Sequence, residues 1–529
     1  MSWILVALLA VPLLGALLLL LSPQTLRPVL RTYGLILSAV TLALSLLLVA
    51  TFDYGRPARV QFETDWPWIP GLGLRLHLGI DGISLPLIAL TTLLTFLCFV
   101  YLCWRAPEQL MRTRPRALVF TLLVLEVGMI GTFLALDLLL FFIFFEIVLI
   151  PMYFLIGIWG GDGRRAASIK FILYTLLGSV VMLLGLLLIW AQTGTLDIVA
   201  LATSHGAGMS RSIQILAFVA IGIGLAVKTP MWPLHTWLPD AHTEAPTVGS
   251  VLLAGVLLKM GTYGFARIAI PVLPEGATAV APWLGAFAVV GIVYGALACL
   301  AQRDLKRMIA YSSVGHMGFV LLGFATLTPV GINGALFANV AHGLITGLLF
   351  FLAGAVKERY HTVDMPGLGG GLLARLPRLG SVLTFAVIAS LGLPGLAGFW
   401  GEMLALFGAF QPANGLPRGL YLTYMVIGGL GAVLTAAYFL VMLSRVTHGG
   451  SRTGTPSVVS PIHHTPDESP PSATTTLAPE PVREIGDIRS HELLAWTPLV
   501  ILILLFGLWP GLLLSLTTPS VQTLLGALS

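Results

Sequence analysis

The sequence predicts an all-α polytopic membrane protein of about fourteen transmembrane helices, on three observations. Apolar residues make up 57% of the chain and charged residues only 10%, where soluble domains carry roughly 25% charged. Apolar runs recur at about 20 residues, the length that crosses a bilayer as a helix. Basic residues gather in alternate loops, as expected of a chain that crosses repeatedly.

The first run, Ser2–Leu21, has no basic leader and no clear small-residue cleavage site, so it is read as a membrane helix, not a signal peptide. Further spans are predicted near 29–51, 82–104, 117–135, 138–158, 169–192, 212–233, 246–270, 280–301, 308–326, 332–355, 380–408, 420–446 and 494–516. Residues 52–80 are expected to form an extramembrane loop, with Trp66 and Trp68 at the headgroup level. Most loop Lys and Arg residues follow odd-numbered spans, for example Arg112, Arg114, Arg116, Arg164, Arg165, Arg303 and Arg307. The positive-inside rule places those loops in the cytoplasm and both termini in the periplasm. The stretch 449–482 is rich in Pro, Ser and Thr and is expected to be a disordered cytoplasmic loop. His463 and His464 within it are read as solvated rather than as metal ligands.

Two spans are expected to be broken. In the seventh, Pro230 and Pro233 follow Lys228; in the twelfth, LPGLAGFWG precedes Glu402. Proline removes a helical hydrogen bond, and backbone freed in this way survives in a membrane only against protein or a polar cavity. Paired interrupted spans are the pattern of inverted repeats. The candidate repeats are spans 4–8 and 9–13. The chain then divides into 1–116 (spans one to three with the loop), 117–270 and 280–446 (the repeats), 447–493 (the disordered loop) and 494–529 (the last span).

Charges inside the apolar runs point to function. Glu146 lies in LLLFFIFFEIVLIPMYFL, Lys228 in IGIGLAVKTPMW, Lys259 in VLLAGVLLKMGTYG and Glu402 in LPGLAGFWGEMLAL. An ionisable group in hydrocarbon costs at least roughly 2.5–3.5 kcal/mol, so it is retained where it pairs, faces a polar cavity or moves charge. The chain has five lysines, and two of them, never an arginine, are read at the deepest positions. A desolvated lysine can release its proton, whereas an arginine cannot. Glu146 is the natural counter-ion for Lys228, and separating the two would unload a proton. Lys170, Lys306 and Lys357, near span ends, are expected to snorkel to the interface. His316 and His342, also within spans, can relay protons near neutral pH. Glu126, in LLVLEVGMIG, is a further buried carboxyl, read equally well as a hydrogen-bonded packing residue.

Other function classes are excluded. Cys98, Cys103 and Cys299 form no CxxC pair, and neither a strand-linked GxGxxG nor a P-loop is present. No iron–sulfur, nucleotide or metal site is expected in this chain. The net charge of +5 reflects membrane orientation and not nucleic-acid binding.

The segment LAVKTPMWPLHTWLPDAHTEAPTVGSVLLAGVLLKMGTYG resembles the central signature of the antiporter-like membrane subunits of respiratory complex I. DLLLFFIFFEIVLIPMYFLIGIWG, RDLKRMIAYSSVGHMG and LPGLAGFWGE resemble motifs of the fifth, tenth and twelfth helices of that family. The resemblance implies redox-driven proton translocation. Glu146 and Lys228 would form an ion pair, Lys259 would be the central lysine, His316 and His342 would connect it onward, and Glu402 would be the exit. Two sister types of the family, L and N, generally carry lysine at that exit, so Glu402 sets this chain apart from them. NADH, FMN, iron–sulfur clusters and quinone would belong to partner subunits. The partners would be the L- and N-type antiporter-like subunits, small membrane subunits and the lipid of a bacterial inner membrane, or of a thylakoid membrane in a photosynthetic version. A subunit of a multisubunit Na+/H+ antiporter, and the equivalent subunit of a hydrogenase or ferredoxin–plastoquinone complex, are alternatives with similar channel residues. A scaffold without transport fits poorly with the intact set of buried charges. The 449–482 loop is longer than the family pattern.

Overall fold

Helices account for nearly all of the structure, a computed structural model that describes residues 3–21, 27–104, 110, 113–448 and 486–526. The expected disordered loop, with His463 and His464, lies outside the described residues. The helices follow the expected order: α1 (Trp3–Leu21), α2 (Arg27–Thr51), α3 (Ser84–Trp104), α4 (Pro115–Leu134), α5 (Leu138–Ile147 continuing as Leu149–Trp159) and α6 (Arg164–Thr193). Next come α7 (Arg211–Lys228, then Trp237–Glu244), α8 (Thr247–Val272), α9 (Pro274–Leu300), α10 (Leu305–Ala325) and α11 (Pro329–Tyr360). The chain continues through α12 (Pro377–Ser390, then Ala397–Phe410), α13 (Arg418–Leu443), α14 (Ser490–Leu508) and α15 (Gly511–Leu525).

Among the described residues, twelve helices are each long and apolar enough to cross a membrane, or thirteen if the bent pair α14–α15 counts as one span. The expectation was fourteen. The difference is α12, whose two pieces have 14 residues each. At 1.5 Å per residue each covers about 21 Å, short of the roughly 30 Å hydrocarbon core. The last predicted span, 494–516, also divides. It bends by 69° where Trp509 and Pro510 interrupt it, and a further helix follows.

The loop at 52–80 is not simply irregular. Gln61–Ile69 (β1) pairs antiparallel with Leu74–Ile80 (β2), and Gly73, at φ 68°, closes the turn in a left-handed conformation. Trp66 and Trp68 lie exposed on the hairpin.

Loops sort onto two sides. On the hairpin side Leu78 bridges Ala135 and Asp137 bridges Asp197. On the other side Asp304 bridges Asp364, Gly161 N donates to Glu244 O, and Arg378 N donates to the Asp487 carboxylate. This is the alternation that the basic loops predict. The two Asp–Asp bridges match in detail. Asp137 caps α5 through Leu139 N and Leu140 N, and Asp197 caps Ile198–Ser204 through Ala200 N. Asp304 caps α10 through Arg307 N, and Asp364 caps Met365–Leu368 through Gly367 N. Each carboxylate satisfies amides that a helix start leaves unpaired.

Helix α8 is the axis, with every residue from Val248 to Pro274 buried. Peripheral helices turn leucines outward, including Leu173, Leu177 and Leu184 of α6 and Leu430 of α13. In water such a surface would be an aggregation hazard; in lipid it carries no penalty.

Candidate functional site

Breaks in the helices decide where the buried charges sit. Pro151 has no N–H to offer the carbonyl a turn earlier, and α5 is interrupted at Val148, just beyond Phe145 and Glu146. Lys228 is the last residue of the first piece of α7, where the helix dipole favours a cation. Its Nζ donates to the Phe145 carbonyl at 3.4 Å and lies 4.4 Å over the Phe145 ring. Glu146 is next in sequence, yet no ion pair closes between it and Lys228 among the described residues within 4.0 Å. Its Oε1 is buried without a hydrogen-bond partner among the described residues. The expected pair is therefore adjacent but open. The carbonyl and ring face of Phe145 supply Lys228 with neutral partners instead.

Lys259 is completely buried at the centre of α8. It lies between two π-helical turns, Leu253–Leu257 and Phe265–Ala269. Such turns loosen the hydrogen-bond ladder and are frequent at functional sites. Lys259 Nζ donates to the Ala254 carbonyl at 2.5 Å and lies 2.6 Å from His342 Nδ1 on α11. At that separation the amine and the imidazole nitrogen are hydrogen-bonded, and which of them donates depends on the tautomer of the ring. The other ring nitrogen of His342, Nε2, is buried with no hydrogen-bond partner among the described residues.

Beyond His342 the line continues. The His342 and His316 rings meet edge to face with centroids 5.5 Å apart. His316 Nδ1 lies 2.9 Å from Glu402 Oε1, and its Nε2 lies 3.1 Å from Ser390 Oγ. A small cavity of about 20 Å³ is lined by His316, His342, Ser390 and Glu402 among others. That is space for one water beside the unpartnered nitrogen. Ser390 ends the first piece of α12 and Glu402 lies in the second, so the break brings both to His316. The break itself depends on Gly392, at φ 83° and with Glu402 Oε2 only 3.3 Å from where a Cβ would stand.

Of the sequence-predicted residues, Lys259, His342, His316 and Glu402 lie in one file, hydrogen-bonded at its two ends and joined in the middle by the contact of the histidine rings, while Glu146 and Lys228 form a separate cluster. Glu126 joins neither. It is fully buried in α4, with neither carboxyl oxygen partnered among the described residues. Lys306 does not snorkel. It is 2% exposed, donates to the Ala245 carbonyl at 2.7 Å, and lines an 840 Å³ cleft on the side opposite the hairpin. Capping by Asp304 fixes the start of α10 so that the next turn points inward. Lys170 does reach a partner at the edge, Asp240, at 2.7 Å.

Sequence reasoning missed His235 and His242, both in HTWLPDAH. Each is buried, with neither ring nitrogen hydrogen-bonded among the described residues. His242 stacks on Phe350 with ring centroids 4.5 Å apart and lies within electrostatic reach of Lys306 and Lys259. The signal was present: two imidazoles beside the prolines of a broken span.

On the hairpin side His77 lies between two carboxylates, 2.9 Å from Glu63 Oε1 and 2.9 Å from Asp197 Oδ2. Burial of the ring opposes its charging, but Asp197 and Glu63 outweigh burial and raise its pKa above the ordinary imidazole value. Burial alone would raise Asp197, yet His77 and the Ala200 amide hold it below the usual carboxylate value. This cluster ties the hairpin to the loop after α6.

Three comparisons bear on this geometry. The sequence profile of the family described as "NADH:quinone oxidoreductase/Mrp antiporter, TM" matches residues 135–435. NADH-quinone oxidoreductase subunit M of Rhodobacter capsulatus is 41% identical over 92% of this chain and 88% of its own length. NADH-ubiquinone oxidoreductase chain 4 of Arabidopsis thaliana is 38% identical over 97% and 95%. A chain of respiratory complex I from Thermus thermophilus superposes with a TM-score of 0.82 at 29% identity, covering 99% of this chain and all of its own. A chain of the Mrp complex from Dietzia sp. superposes at 0.83 with 21% identity, covering 100% and 99%, which shows a shared fold.

Proposed function

Because this chain belongs to the NADH:quinone oxidoreductase/Mrp antiporter transmembrane family, we propose that the file Lys259–His342–His316–Glu402 carries the protons it moves. It is a proton-translocating membrane subunit of NADH-quinone oxidoreductase. NADH oxidation and quinone reduction take place in partner subunits, which hold the redox cofactors, and this subunit sits among other membrane subunits of the respiratory membrane. The high identity to the oxidoreductase relatives, against 21% to the Mrp chain, favours this reading over the antiporter alternative.

One observation carries the site assignment: lysine, two histidines and a glutamate from four different helices meet within the bundle, two of the contacts being 2.6 and 2.9 Å. Each can both accept and give up a proton. In a step towards Glu402 the Lys259 N–H bond breaks as a proton bonds to His342 Nδ1, and the ring releases the other from Nε2. A water in the small cavity passes one to His316, and His316 Nδ1 delivers one to Glu402. The open Glu146–Lys228 cluster acts as the loading site. With Glu146 swung in, Lys228 holds its proton; with the pair open, as here, it can release one towards Lys259. In this reading α4–α8 and α9–α13 are inverted repeats, a view supported by the matched Asp–Asp bridges on opposite sides and the interruptions of α7 and α12.

The test is Lys259→Ala in the assembled complex. NADH-driven acidification of inside-out vesicles is expected to fall to background while the amount of assembled complex is unchanged. Pumping at the wild-type rate would remove the central lysine from the path.

A further inference from the structure

The contact between Lys259 and His342 has a second rung one turn away. Thr262 lies three residues beyond Lys259 on α8, and Asn339 three residues before His342 on α11, so both rungs fall on one face of each helix. Thr262 Oγ1 donates to Asn339 Oδ1 at 3.0 Å and, within its own helix, to the Lys259 carbonyl at 3.0 Å. Both residues are fully buried. The amide nitrogen of Asn339, Nδ2, is buried with no hydrogen-bond partner among the described residues. An unpaired N–H group is costly inside a membrane bundle, and an apolar residue of similar volume would pack there without that cost. Packing therefore does not explain an asparagine at this position, whereas the bond from its oxygen to α8 does.

We propose that Asn339, acting through Thr262, is a positioning residue that holds Lys259 within transfer distance of His342. This role rests on the reading of Lys259 as the central carrier that passes its proton to His342. Lys259 sits in a seven-residue helical piece, Leu258–Gly264, with a π-helical turn on each side. Those turns loosen the hydrogen-bond ladder that would otherwise fix the piece to the rest of α8. Towards α7 the piece meets a wall: a Cβ on Gly261 would stand 2.4 Å from Thr229 Oγ1 and 2.7 Å from the Leu225 carbonyl oxygen. The wall stops the piece from backing away from α11, but not from sliding along its axis or turning about it. The Thr262–Asn339 bond opposes both motions, because it lies off the axis on the face that carries Lys259. As the Lys259 N–H bond breaks and the His342 Nδ1–H bond forms, the two nitrogens must stay within about 2.6–3.2 Å of each other. The observed 2.6 Å lies at the short end of that range.

The test follows NADH-driven acidification by the assembled complex in inside-out vesicles, as a rate per complex, in water and in heavy water. A misplacement of about 1 Å caused outside the reacting groups can cost about 100-fold, and loss of this one bond is expected to cost about tenfold. Thr262→Val keeps the shape and removes the hydroxyl. It should slow pumping by that factor and raise the ratio of the rates in the two solvents, because transfer from Lys259 to His342 becomes the slow step. Thr262→Ser keeps the hydroxyl and should restore both values. Asn339→Leu should match Thr262→Val, and the double variant should be no slower than either single one, since the same bond is lost in all three. A threonine that only bonds its own helix, or an asparagine that only packs, would change the amount of assembled complex but neither the rate per complex nor the solvent ratio. A Thr262→Val or Asn339→Leu complex that pumps at the wild-type rate overturns the positioning role. So does a Thr262→Ser complex as slow as Thr262→Val, or a slow Thr262→Val complex with an unchanged solvent ratio. If one of the two variants fails to assemble, the other carries the test from the opposite helix. Lys259→Ala separates this role from the reading it rests on. If Lys259→Ala falls to background while Thr262→Val pumps normally, only the positioning role fails; if Lys259→Ala pumps at the wild-type rate, the central lysine itself fails.

Discussion

Replacing His342 by leucine tests the proton file at its tightest joint. His342 is the group through which Lys259 meets His316, at 2.6 Å from the lysine nitrogen on one side and a 5.5 Å ring separation on the other. Leucine fills a comparable volume, so water cannot take the place of the imidazole, and it offers neither donor nor acceptor. A hydrogen bond involving a charged group contributes about 1.5–3 kcal/mol. Losing that from the transfer step, at about 1.4 kcal/mol per factor of ten, slows proton delivery to Glu402 by roughly 10- to 100-fold. The assay is fluorescence quenching of a pH-sensitive dye during NADH oxidation by inside-out vesicles. Assembled complex is quantified on native gels, so that a rate per complex is obtained. His342→Leu vesicles that acidify at the wild-type rate per complex would refute a path through this histidine.

Glu402→Gln keeps size and hydrogen bonding but cannot ionise; it should impair pumping, while Glu402→Lys should partly restore it, and a fully active Gln variant would rule Glu402 out as the exit. Lys228→Ala and Glu146→Ala should each strongly reduce quinone-linked pumping with assembly retained; full pumping in either would sink the loading role of the pair. The hairpin should respond to pH through His77. Its raised pKa contributes stability that is complete below the ordinary imidazole value of about 6.5 and is lost as pH rises through the higher folded value. The lowered Asp197 acts in the opposite sense, its contribution being lost as pH falls into the carboxylate range. Hydrogen exchange of the 61–80 amides should therefore speed up on raising the pH beyond what intrinsic exchange predicts, and His77→Gln should abolish the excess; an unchanged excess in that variant would exclude His77.

How much of the site was legible in the sequence depended on whether its signal was local. Lys259 and Glu402 stand out because a charge in an apolar run is costly wherever the run points, so their burial could be read one residue at a time. The breaks in α7 and α12 were equally legible, since proline and glycine act on their own backbone. Lys306 was misread because snorkelling depends on the direction of a side chain, and capping by Asp304 aims this one inward. The Glu146–Lys228 contact was expected closed and is open, because Lys228 takes the Phe145 carbonyl and ring as partners, a choice made by how two helices pack.

By itself, the sequence determined that the chain lives in a membrane, where most of its apolar helices lie, where two of them break, and which ionisable groups cannot be there for solubility. Hydropathy, proline chemistry and the cost of burying charge are local and additive enough to be read along a chain. Only the tertiary structure decided which charges meet. Lys259 reaches His342 across 83 residues of sequence, and His316 reaches Glu402 across 86. Arg267 reaches Asp81 across 186. Proton transfer and ion pairing act over a few ångströms, and distances of that kind are set by how helices pack, not by how far apart residues stand in the chain.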